Sequence, residues 1–237
     1  MDNAGTSRSI NFVKVGALAA FLLAATLITA NVIFVALSSN DPRTDTRKFL
    51  DDVVDQRSLA LAAAWLQTFA GLLTVSVFLG LYYGMRRWGE DHMRLATVAG
   101  VVAAVMIVLV GAHIAAFAGS VIPAWHDAGD GAARANVLSD AHTLSWLIDA
   151  IFSAFAVTIA IGTLAASLVM LRAGGVLWRV VAWIGIVGAI VGFAAAFSPA
   201  SSGLGIASAI HGILSVAWLL GVGVALWRLP PGEKAAA

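Results

Sequence analysis

From Val15 to Leu37 the chain runs 23 residues without a charged side chain. At about 1.5 Å of rise per residue, a helix of that length crosses the ~30 Å hydrocarbon core of a bilayer. Five further runs of the same kind follow, at 59–85, 95–121, 143–171, 176–197 and 205–227, charged only at Asp149 and, near the start of the fifth span, at Arg179. Strands of a membrane barrel alternate polar and apolar residues, whereas these runs are continuous, so they read as helices. A signal-peptide core spans roughly 7–15 residues, so the first run reads as an uncleaved span. The expectation is an all-α integral membrane protein, one domain over residues 1–237 built as a bundle of six transmembrane helices. Composition agrees: 60% of residues are hydrophobic and 11% charged, where a soluble domain carries about 25% charged residues.

Punctuation between the runs sets the topology. Residues 40–57 form the longest polar connection, with Phe49, Leu50, Val53 and Val54 at helical spacing, which predicts a short amphipathic helix lying on the membrane surface. Pro123 is expected to end the third span, and a loop rich in acids to follow up to the fourth. Ser198, Pro199, Ser201, Ser202 and Gly203 read as a tight turn, and Pro230 and Pro231 as the stop after Arg228. With the N-terminus inside, nine basic residues (Arg8, Lys14, Arg86, Arg87, Arg94, Arg172, Arg179, Arg228, Lys234) fall on the cytoplasmic side and five (Arg43, Arg47, Lys48, Arg57, Arg134) on the other. That bias places both termini in the cytoplasm. Gly80/Gly84 and Gly188/Gly192 are small-xxx-small pairs that let helices approach closely.

Function must be sought in the polar residues inside the apolar runs, because such groups are costly in hydrocarbon unless they find partners. On the topology above Asn31, Gln67, His113, His142, Asp149, Ser208 and His211 all fall in the outer half of the membrane. His142 and Asp149 are seven apart, and Ser208, His211 and Ser215 follow i, i+3, i+7, so each set shares one helix face. These residues are expected to line one polar pocket open to the outer side, where Asp149 is a candidate proton-coupling group. His126, Asp127 and Asp130 in the WHDAGD loop match no standard metal spacing.

Three chemistries fit this inventory. The first is binding or transport of a small molecule or ion. The second is a haem b protein with His113 and His211 as axial ligands at matched depth. The third is a zinc-dependent lipid hydrolase using His113, His142 and His211 with Asp149. Membrane metallohydrolases of the ceramidase and adiponectin-receptor type use such a set in seven spans. This chain has no HxxxH pair and one span fewer, so the similarity ends at residue types. Absence of cysteine removes disulfides, thiolate metal sites and cysteine nucleophiles. No Walker or Rossmann glycine pattern occurs, and no basic patch suggests nucleic acid. Binding or transport is the leading expectation, with the bilayer and a small ligand as partners and a second copy or another subunit left open.

The stretch LRAGGVLWRVVAWIGIVGAIVGF from Leu171, followed by a short turn and a last helix ending LWRLPPG, resembles bacterial multi-span membrane proteins grouped as a domain of unknown function. The resemblance implies a bacterial plasma (inner) membrane setting and no particular activity. No functional residue is carried across from it.

Overall fold

The computed structural model describes residues 3–37, 45–129, 131–197 and 205–229. The elements are α1 (Asn3–Leu37), α2 (Thr46–Val53), α3 (Arg57–Met85), α4 (Glu90–Ala116), a π-turn (Phe117–Val121), α5 (Ile122–Asp127), α6 (Ala132–Ala173), α7 (Val176–Ala195) and α8 (Gly205–Trp227). Among the described residues, six helices are long and apolar enough to cross a membrane. Consecutive long helices pack side by side, and α8 returns to α1, so the six close into a ring. The expected turn at 198–203, the prolines 230 and 231, residues 40–44, Asp130 and Lys234 lie outside the described residues, as does the side chain of Arg8.

The surface of the bundle carries large apolar side chains such as Leu18, Val32, Val35, Trp65, Leu72, Val98, Trp183 and Ile190. The contacts between helices are made largely by alanine and glycine, as along Ala60, Ala63, Ala64, Ala70 and Gly71 of α3. A soluble fold rarely exposes large contiguous apolar areas, and a bundle held in lipid gains most from small residues at its seams. The closest seam is between α1 and α3: a methyl group on Gly16 would stand 2.5 Å from the Gly80 Cα. Gly84 faces Leu226 and Leu229, Gly188 faces Leu214, and Gly192 lies under the His211 ring, so both glycine pairs read from the sequence do sit at contacts. At the bundle centre the Phe78 ring rests on Gly100 and approaches Gly162.

Three expectations are corrected. Pro123 does not end the third span, because the chain continues helically to Asp127. The π-turn just before it absorbs the proline: the Ile122 N–H reaches back five residues to the Phe117 carbonyl. Continuing that register would pair the Ala118 carbonyl with residue 123, which has no N–H to give. Arg57 Nε donates to that carbonyl instead, at 3.1 Å. The acidic loop is also much shorter than expected, since α6 starts at Ala132 and takes Asp140 and His142 into a 42-residue helix. Such a helix is roughly 63 Å long, about twice the hydrocarbon thickness, and its N-terminal part packs against the α2 cluster through Val137, Leu138 and Ala141.

The third correction concerns α2. It is the amphipathic helix foreseen within 40–57, but its apolar face is turned onto the protein rather than a membrane surface. Leu50 and Val53 are buried in a cluster with Leu37, Phe117, Ile122, Trp125 and Ala141. Asp51 fastens the outer face, accepting from Trp125 Nε1 at 3.0 Å and from Arg134 at 3.5 Å, while the Arg134 guanidinium lies 4.1 Å from the Trp125 ring centroid. Gln56 Nε2 donates to the Leu37 carbonyl at 3.4 Å. The opposite end of the bundle is basic and aromatic. There Lys14 donates to the Trp227 carbonyl and lies over its ring, and Arg87 lies over Trp88. The two positive-φ residues Gly174 and Gly175 make the abrupt turn from α6 to α7.

Replacing Gly80 by Val drives a branched side chain into the Gly16 backbone. The expected result is a loss of about 1–3 kcal/mol, or more where the seam cannot part. Thermal unfolding of the purified protein checks this, with Gly119→Ala as the control, since nothing lies within 4 Å of that position. Equal midpoints for the two variants would remove the α1–α3 seam from the account.

Candidate functional site

Most polar side chains in the long helices satisfy themselves locally. Thr26, Thr29, Thr68, Thr74, Thr97, Ser145 and Thr158 each donate to the carbonyl four residues earlier. Such a bond needs no second helix and no ligand. Two of the seven site residues expected from sequence do the same. Asn31 Nδ2 donates to the Leu27 carbonyl at 2.8 Å, and His113 Nδ1 to the Leu109 carbonyl at 2.7 Å. His142 is exposed and accepts from Trp146 Nε1 at 3.1 Å, one turn further along α6.

Residues expected to share one pocket are divided between two cavities. The central one, about 390 Å3, lies inside the helix ring. Asn31, Ser208, His211 and Ser215 line it, the last three from the i, i+3, i+7 face of α8. The second, about 360 Å3, lies beneath α2 and is lined by Gln67 and Asp149 with Ser145. Phe152 is common to both walls. His113 and His142 line neither cavity. His142 does share an azimuth with Asp149, but seven residues separate them by about 10 Å along the axis.

This dispersal bears on the metal reading. Among the described residues, no group of three or more His, Cys, Asp or Glu side chains is close enough to hold a metal ion. His113, His142 and His211 are therefore not assembled as a zinc set. Nor do His113 and His211 face a common cavity, as two axial ligands of a haem b would require. His211 keeps a different role: its Nδ1 donates across to the Gly188 carbonyl of α7 at 3.0 Å, over the bare Cα of Gly192. It is a bond between helices at the cavity wall.

Three buried polar groups have no hydrogen-bond partner among the described residues. The Trp218 indole N–H is 3% exposed and has no acceptor, although its ring lines the central cavity and stands 6.3 Å from that of Phe78. The Gln67 amide oxygen, on a residue 7% exposed, has no donor and belongs to the cavity under α2. Ser167 Oγ is a third such atom, beside Gly185 on the same side as Trp218. An unmet buried polar group costs about 1–3 kcal/mol, so its persistence needs an explanation. Sequence reading passed over Trp218. The signal was available: tryptophans favour membrane interfaces, whereas Trp218 lies nine residues before the α8 end, roughly 13 Å inward.

Six apolar spans in a closed ring with internal cavities are compatible with a polytopic membrane protein, and that is the class the architecture supports. Comparison with family models, with curated proteins and with solved structures gives no match.

Outside the spans, Asp45 caps α2, accepting from the Lys48 N–H at 3.3 Å and pairing with its ammonium at 2.9 Å. The Lys48 hydrogen bonds hold the Asp45 carboxyl below its ordinary 3.8. A depressed value means that the cap is present above pH 3.8 and is lost as pH falls through the folded-state value. Acidification below pH 3.8 is therefore expected to lower the amide protection of residues 46–53, taken relative to the intrinsic exchange rate at each pH, before it affects α3. Asp45→Ala should show the lower protection already at neutral pH.

Proposed function

We propose that this chain is a polytopic protein of a bacterial plasma membrane, with both termini in the cytoplasm, that binds a small and largely apolar molecule in its central cavity and holds or passes it within the membrane. The observation that carries this reading is Trp218 on the wall of a 390 Å3 space, its N–H buried beside Gly185 and without an acceptor among the described residues. Pockets of roughly 300–1,000 Å3 with apolar walls and a few placed polar groups are the usual form of small-molecule sites. The ligand that fits carries an oxygen acceptor, such as a carbonyl, ether or hydroxyl, on a hydrocarbon body. A bare ion fits poorly, since Leu23, Val77, Phe78, Ile159 and Leu219 occupy much of the wall and supply no oxygen to replace its hydration.

A matched pair of probes tests the site: 4-phenyl-2-butanone and butylbenzene, of similar shape with and without the carbonyl. In calorimetric titrations Trp218→Phe should weaken ketone binding by about 1 kcal/mol, near fivefold, and leave the hydrocarbon unchanged. Equal effects on both probes, or none, would remove Trp218 as the recognition group.

Orientation has its own test, because the chain contains no cysteine. Cysteine placed at the exposed positions Ser139 or Asp91 should react with an impermeant maleimide on intact spheroplasts at 139 and only after lysis at 91. The reverse pattern would invert the topology.

A further inference from the structure

The cavity beneath α2 differs from the central one in its chemistry. Phenylalanines from four elements wall it: Phe34 of α1, Phe49 of α2, Phe117 of the π-turn and Phe152 of α6. Into this hydrocarbon the lining introduces the Asp149 carboxyl and the Gln67 amide, and among the described residues none that lines it is basic. The Gln67 oxygen is buried without a donor. An aromatic face is electronegative and attracts a cation, an attraction that strengthens as water is removed. A carboxyl group in the same wall favours a cation further and opposes an anion. The amide oxygen accepts from an N–H. All three features select the same partner.

The geometry points to a second binding site, under α2, for an amphipathic organic cation: a protonated amine on an aromatic or alkyl body. The ammonium group lies towards Asp149 and Gln67, and the apolar body lies among the phenyl rings. α2 forms part of the wall through Phe49 and Val53 and is held at its outer face by Asp51, Trp125 and Arg134. Release of that contact gives the cation a way in without parting the long helices. The site is independent of the ligand proposed for the central cavity, because Trp218 lines only the central one.

Three probes of one skeleton test the assignment: 4-phenylbutylammonium, 4-phenylbutanol and 4-phenylbutyrate. Each is titrated calorimetrically into the full chain in phosphatidylcholine nanodiscs, with empty nanodiscs subtracted. The cation should bind at least tenfold more tightly than the anion, with the alcohol between them. Asp149→Asn should bring the cation down to the affinity of the alcohol, and Gln67→Leu should weaken the cation at least fivefold, while Trp218→Phe leaves it unchanged. Equal affinities for the three probes would overturn the proposal. So would a cation preference that survives Asp149→Asn in protein with the parental melting temperature, or a loss caused by Trp218→Phe. If Asp149→Asn does not fold, Gln67→Leu decides: unchanged cation affinity there rejects the site.

Discussion

Small side chains between helices are what the rest of this structure depends on. Among lipid tails there is no hydrophobic gain in bringing two apolar helices together, so the seams rely on dispersion contact, which falls off steeply with distance. Glycine and alanine bring the backbones near enough, most closely where Gly16 meets Gly80. The same rule explains the voids. Where Phe78, Phe152 and Trp218 stand between helices, the backbones are held apart and the space left is not filled.

A second rule separates polar residues that matter for binding from those that do not. A hydroxyl or amide inside a helix has an acceptor within reach, the carbonyl one turn back, and Asn31 and His113 use it. Their presence in an apolar run therefore says little about a ligand. Gln67 and Trp218 have atoms without that solution. His211 is intermediate, since it bonds to a neighbouring helix and so fixes the distance between α7 and α8 at the cavity wall.

The end of the bundle bearing α2 is built differently from its opposite. Pro123 forces a π-turn, the turn leaves the Ala118 carbonyl without an N–H, and Arg57 supplies the missing donor from the start of α3. Asp51 links α2 to Trp125 and Arg134, and Gln56 links it to the last carbonyl of α1. A short amphipathic helix is thus bound to three neighbours by polar contacts at its rim, over a core of Leu50 and Val53. Asp51 and Arg57 serve this attachment, where the sequence had placed the helix on the membrane surface.

The helical class and the number of long apolar helices were legible in the sequence, because run length and hydropathy act locally and the backbone in hydrocarbon has few other ways to satisfy itself. The polar face of α8 was legible for the same reason, since Ser208, His211 and Ser215 lie on one helix and periodicity determines their alignment. What only the tertiary structure decided is which faces meet. Depth along a helix says nothing about azimuth relative to a neighbour, so residues at one level of the membrane were read as one pocket, when ring closure sends Asn31 and His211 to one cavity and Gln67 and Asp149 to another. The extent of α6 and the burial of α2 were likewise settled by contacts between distant segments, which no local pattern encodes.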